Sequence, residues 1–197
     1  MRLFKKKNPE DIYLLLAHHI TYPSLLYGKE LETEDNKKRA DAGEEMLYFF
    51  LYVLDVYAFK ILGEKKRDEV FDKVYERAIY DYCTATLKDE TPKELVTQLL
   101  FEMIDKLNER QSNYSKCNSI LGEGFSSRGT AVFALSFFIH KALGKTKRSD
   151  VKSILEGKRD LKKEDLKDFP DIVLKLVMFV GNVIKESNFP KLLKRLK

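Results

Sequence analysis

The stretch Glu45-Met-Leu-Tyr48-Phe-Phe-Leu-Tyr52-Val-Leu-Asp55-Val-Tyr-Ala-Phe59 decides the fold. Glu45, Tyr48, Tyr52, Asp55 and Phe59 recur at steps of three or four, which stacks them on one face of an α-helix. Most of the remaining surface is apolar, from Met46, Leu47, Phe49, Phe50, Leu51, Val53 and Val56. The spacing predicts a long helix from about Ala40 to Leu62, stopped by Gly63. A helix that is apolar nearly all round belongs at the centre of a bundle.

Other helices are legible on either side. Asn8-Pro9-Glu10-Asp11 reads as a start: Asn caps, Pro fits the first turn, and the acids meet the positive end of the helix dipole. This helix is expected to reach about Ile20 and to stop before Pro23. Residues 28–38 are polar and read as a mobile loop. A helix from Lys65 to about Leu87 carries Val70, Phe71, Val74, Ala78 and Tyr82 at helical spacing. Thr91-Pro92-Lys93-Glu94 reads as a capping box opening a helix that lasts to about Arg110.

Residues 111–129 form a loop rich in Ser, Asn and Gly. Thr130 to Leu143, ended by Gly144, and Pro170 to Glu186 are both apolar nearly all round and are expected to be central. Ser149 to Leu155 reads as a short helix closed by Gly157. Residues 187–197 read as a basic, solvated tail. No internal repeat and no strand signal is present. The fold class expected is all-α: a single-domain bundle of about six to eight helices over residues 1–197, with a short mobile N-terminus and a basic C-terminal tail.

Composition agrees with that class. The chain has 197 residues, 44% hydrophobic and 34% charged, with only 9 Gly and 5 Pro. A chain of this length can bury about 70% of its extended surface, enough for a core. The two cysteines, Cys83 and Cys117, cannot build a disulfide framework. Met1 to Lys7 are basic with no apolar run behind them, so no secretory signal is expected. The apolar stretch Met46 to Leu62 is cut by Asp55 and Lys60 and falls short of the roughly 20 clean residues of a membrane span. The expected setting is a reducing cytoplasm with both thiols free.

Chemistry is harder to find. Di-iron bundles need a Glu three residues before a His on each of two helices. Three residues before His18, His19 and His140 stand Leu15, Leu16 and Phe137. Two isolated cysteines do not make a zinc cluster. No metal and no cofactor is expected. His140, between Phe137 and Leu143, reads as a core histidine. Pairing Cys117 or Cys83 with His140 as a nucleophile is formally open, but nothing visible activates either thiol.

Three places remain. The first is the stripe Glu45, Tyr48, Tyr52 and Asp55, which could line a ligand pocket. The plainer reading is a surface face on which tyrosines show their hydroxyls to water. The second is Gly122-Glu-Gly124-Phe-Ser126-Ser127-Arg128-Gly129-Thr130, running into a helix. Ser126, Ser127, Arg128 and Thr130 could hold an anion at a helix N-terminus. The loop lacks both the lysine and the preceding strand of a nucleotide-hydrolase phosphate loop. The third is His140-Lys-Ala-Leu-Gly144 followed by Ser149-Asp-Val-Lys-Ser-Ile-Leu-Glu-Gly-Lys-Arg-Asp-Leu161.

This third segment resembles the helix-turn-helix of phage-repressor-type DNA-binding domains, with Lys152-Ser153 after Val151 where that family has Ser. The resemblance covers about a seventh of the chain. It implies that Ser149, Asp150, Lys152 and Ser153 face the major groove and that Lys145, Lys147, Arg148, Lys158 and Arg159 meet phosphates. Charge placement is compatible with an acidic partner. Residues 1–100 hold 16 Lys and Arg against 19 Asp and Glu, and residues 101–197 hold 20 against 12.

Taken alone, the sequence assigns no function and favours no catalysis. The reading it supports best is a non-catalytic helical protein that binds a protein partner, a second copy or a small ligand. DNA binding through 140–161 comes second, and an anion-binding enzyme or sensor using 122–130 comes third.

Overall fold

The computed structural model describes residues 8–88, 90–121, 129–145 and 169–197. It is an all-α multi-helix bundle with no strand among the described residues. The helices are α1 (Pro9–Glu30), α2 (Asn36–Leu62), α3 (Glu64–Thr86), α4 (Lys93–Tyr114), α5 (Ala131–Ala142), α6 (Phe169–Ser187) and the short α7 (Phe189–Leu193). One cluster of buried apolar side chains draws on all seven. The short helix expected at Ser149 to Leu155 and the N-terminal segment Met1 to Lys7 lie outside the described residues.

α2 is the axis of the bundle, packed against α1, α3, α4, α5 and α7. Met46, Leu47, Tyr48, Phe49, Phe50, Leu51, Val53 and Leu54 are all fully buried. Asp35 starts the helix by accepting from the backbone amides of Lys37 and Lys38 at 3.0 and 3.3 Å. Gly63, at φ +78°, ends it and turns the chain directly into α3. α1, α2 and α3 approach closely at Gly43. A Cβ there would meet the Ser24 carbonyl oxygen at 2.8 Å and the Tyr82 hydroxyl, so α1 and α3 can close on α2 only without a side chain at this position.

Several expectations are corrected. α1 does not end before Pro23; it runs through it to Glu30, so only 31–35 link α1 to α2. A proline inside a helix costs about 3 kcal/mol. Here Leu16 and Ile20 on one side and Ser24 and Gly28 on the other are buried together, and that packing outweighs the lost backbone bond. α4 begins at Lys93 with no side-chain cap, because the Thr91 hydroxyl donates back to the Lys88 carbonyl at 2.7 Å. It also continues past Arg110 to Tyr114.

α5 is central, as its composition suggests, with Ala131 to His140 all buried. α6 is not. It packs on α5 and only brushes α1, and its Leu174 and Met178 are 61% and 62% exposed. The C-terminal segment is not a solvated tail either. Phe189 and Leu193 are fully buried, α7 lies against α2, and the Lys66 ammonium donates to the carbonyls of Leu196 and Lys197 at 3.0 and 3.3 Å.

Candidate functional site

The polar stripe on α2 is turned inward and bound to its neighbours. Both Glu45 carboxylate oxygens accept from the Arg110 guanidinium at 2.7 Å, from Nε and Nη2. The guanidinium lies 4.0 Å from the centre of the Phe138 ring. Burial pushes the Glu45 carboxyl up, against the pull of the Arg110 hydrogen bonds and charge. Burial would lower Arg110, but the bonds to Glu45 outweigh it and raise it. Two short parallel hydrogen bonds are the geometry of an ionised pair, so we read both groups as charged.

One turn along, Tyr48 is fully buried and its hydroxyl donates to Glu44, which also accepts from Lys106 at 3.0 Å. Tyr52 is half-buried, with its ring 5.3 Å from that of Tyr114. Asp55 accepts from Arg67 Nε at 2.6 Å and Nη2 at 2.9 Å. The stripe therefore ties α2 to α3 and α4, and the expectation of tyrosine hydroxyls facing water is corrected at Tyr48. Neither Glu45 nor Asp55 keeps a carboxylate oxygen clear of its arginine. The sequence reading missed Arg67 and Arg110, whose partners lie 12 and 65 residues away in the chain. Beside them the buried Tyr114 hydroxyl has no hydrogen-bond partner among the described residues, and burial holds it well above the ordinary tyrosine range.

The thiols are not poised to attack. Burial pushes the Cys117 thiol up to about 11 and raises Cys83 as well, so both are protonated at neutral pH. His140 is buried on α5, its ring edge-on to Phe169 at 5.7 Å. Among the described residues no three His, Cys, Asp or Glu side chains gather as a metal group would. No helix among them is long and apolar enough to cross a membrane.

The anion site expected at the start of α5 has its donors engaged. The amides of Ala131 and Val132 bond the carbonyls of Ser119 and Ile120 at 2.9 and 3.1 Å. The Phe133 amide bonds the Thr130 hydroxyl at 3.2 Å, and the Ala134 amide bonds the Thr130 carbonyl at 3.1 Å. The Ala134 bond is the first of the helix itself, and the amides of the first three helical residues, Ala131, Val132 and Phe133, are the ones already engaged where an anion would bind. Ser126, Ser127 and Arg128 lie outside the described residues. So do Lys147, Arg148, Ser149, Asp150, Lys152, Ser153, Lys158 and Arg159 of the helix-turn-helix-like segment. Of that segment the structure describes His140 to Lys145, where α5 ends at Ala142 and Gly144 turns the chain at φ +70°.

The candidate site lies elsewhere, in a groove of about 660 Å³ between α3 and α4. Phe71, Tyr75, Ile79 and Tyr80 form the α3 wall, and Leu100, Ile104 and Leu107 form the α4 wall. Asp72, Lys73, Glu76, Arg77 and Asn108 also line it. Tyr80 is 51% exposed, Ile104 41%, and Phe101, next to the α4 wall, 66%. α4 is anchored only by its second half, which also supplies Ile104, Leu107 and Asn108 of the groove lining. Met103, Leu107, Arg110 and Tyr114 are buried, while no residue from Lys93 to Glu102 is.

The sequence holds a signal for this. Leu95, Val96, Leu99, Leu100, Phe101, Met103, Ile104 and Leu107 make an apolar arc wider than one buried stripe needs. Two further clefts, of about 530 and 500 Å³, lie between α1 and α6 on either side of the Tyr27–Phe179 ring contact. None of these three clefts is lined by Glu45, Tyr48, Tyr52 or Asp55. Comparison of the chain with known family models, with curated proteins and with solved structures finds no match.

Proposed function

We propose that this protein is a non-catalytic binding module that seats an apolar segment of another polypeptide in the groove between α3 and α4. The observation that carries the reading is a long apolar groove with large side chains standing in water at its mouth. Contiguous apolar surface of this kind on a folded chain marks an interaction site. Ten residues of α3 and nine of α4 span it, roughly 14 Å of groove at 1.5 Å per residue. That is the length of about two and a half helical turns. An amphipathic helix laid into an apolar groove is a recurring mode of peptide recognition.

The absence of catalysis belongs to the same proposal. It is supported by carboxylates held by arginines and by thiols that stay protonated. The proposed setting is a reducing cytoplasm, which suits two free cysteines.

The test titrates the protein with fluorescent amphipathic helical peptides whose apolar faces vary in width. Saturable binding is expected for at least one peptide. Ile104→Asp should weaken it tenfold or more, which is about 1.4 kcal/mol, with an unchanged circular dichroism spectrum. Equal retention by wild type and Ile104→Asp would contradict the reading.

A further inference from the structure

We infer that the polypeptide taken up by this groove is a basic amphipathic helix, whose Lys or Arg side chains meet Asp72 and Glu76 while its apolar stripe lies against Tyr80, Ile104 and Leu107. The inference rests on the groove being a polypeptide site and goes on to name the chemistry of its occupant.

Four charged side chains line the groove: Asp72, Lys73, Glu76 and Arg77. Counted alone they cancel, but the two cations are already engaged. Lys73 Nζ lies 3.9 Å from Glu10 of α1, and Arg77 Nε donates to Asp81 at 2.8 Å. Once Glu10 and Asp81 are included, Asp72 and Glu76 are the charges left uncompensated. Both are exposed, and neither carboxylate makes an ion pair or a hydrogen bond among the described residues. Asp72, Glu76 and Tyr80 follow at steps of four, so the two acids stand in one row with the exposed ring. Like charges one turn apart repel each other, and a cation set between them relieves that repulsion. The α4 flank adds an acid of its own. Asp105, next to Ile104, is exposed and unpaired among the described residues, whereas Lys106 is bound to Glu44 of α2 at 3.0 Å.

A helix laid in the groove turns its apolar stripe to the walls and holds a polar row on either side of it. Lys and Arg suit those rows, because their apolar stems can cover the exposed Tyr80 ring while their charged ends reach the acids. The charge of the whole chain argues the opposite way. At a formal net charge of +5 it attracts an acidic partner at long range. Salt at about 0.1 M screens charges beyond ~10 Å, so at the groove the nearby carboxylates decide. A preference for a basic helix is therefore a property of this one face, and it cannot be mistaken for the pull of the chain as a whole.

Fluorescence anisotropy of the full chain with three labelled peptides decides the matter. The peptides share one apolar stripe, are cross-linked to equal helicity, and carry Lys, Gln or Glu at the flanking positions. At low salt the Lys peptide should bind tightest and the Glu peptide weakest, with a gap of about tenfold between them. Raising NaCl from about 0.05 M to about 0.5 M should narrow that gap. Asp72→Asn combined with Glu76→Gln should remove most of it and leave the affinity of the Gln peptide unchanged. Asp171→Asn, an exposed acid on α6, should leave the gap as it is. Circular dichroism shows whether each variant is folded, and the unchanged Gln peptide shows whether the groove is intact. Equal affinity for the three peptides, or a preference for the Glu peptide, overturns the inference. So does a Lys preference that the double variant leaves in place. If Ile104→Asp still abolishes binding in those cases, the groove remains a polypeptide site with an occupant of different chemistry. If no peptide binds, both readings fall.

Discussion

The two halves of α4 obey different rules. From Met103 to Tyr114 the helix is held by the core, through Leu107, the Arg110–Glu45 pair and the Tyr114 ring against Phe49, Tyr52 and Phe138. From Lys93 to Glu102 no side chain is fully buried: Val96, Leu99 and Leu100 lie half-buried against the core, while Leu95 and Phe101, as apolar as anything in the anchored half, stand exposed. An apolar residue that reaches the core stabilises the fold. One that stands in water beside a groove stabilises nothing in the isolated chain, and its contribution waits for whatever covers it. The difference separates what holds this protein together from what it offers to others.

Breaking the anchored half gives the largest expected effect. Arg110→Ala leaves the Glu45 carboxylate buried without its partner, which costs about 3–5 kcal/mol. Urea unfolding should show that loss. Replacing both partners, Glu45→Leu with Arg110→Met, should recover most of it, because two apolar groups of similar size need no pairing. If the double variant is no more stable than the single one, the pair is not acting as described.

The mirror experiment on the free half predicts almost nothing for stability. Phe101→Ala should change unfolding free energy at low protein concentration by less than about 0.5 kcal/mol, as for other surface positions. A loss of 2 kcal/mol or more, the size of a core truncation, would mean that the ring is packed. The smallest effect concerns Cys117, just past the anchored end. Its thiol, raised to about 11 by burial, should alkylate slowly at pH 7 and faster as pH rises, levelling off near that value. Mass-mapped alkylation reads this directly, and a rate already flat by pH 9 would contradict it.

Legibility followed the range of the interactions. Helix type and the centrality of α2 and α5 came from local periodicity, since most of the surface of α5 and of α2 beyond Glu45 is apolar apart from the polar stripe of α2. α6 carries the same local signal and lies at the edge, because the number of neighbours a helix has is a tertiary fact. The Pro23 stop failed for a related reason: packing on both sides of the proline carries α1 through it. The stripe was visible as residues but not as an arrangement, since Arg67 and Arg110 come from other helices. The groove was invisible as a shape. Only the excess width of the apolar arc on α4, beyond what one buried stripe requires, hints at it.

The most direct test of the α3–α4 groove as a polypeptide-binding surface is amide hydrogen exchange read by mass spectrometry with and without a saturating amphipathic helical peptide. Slower exchange on adding the peptide is predicted in the segments 71–80 and 100–108, with α5 and α6 unchanged. Exchange that the peptide leaves unchanged throughout, or protection that rises on α6 alone, would contradict the account.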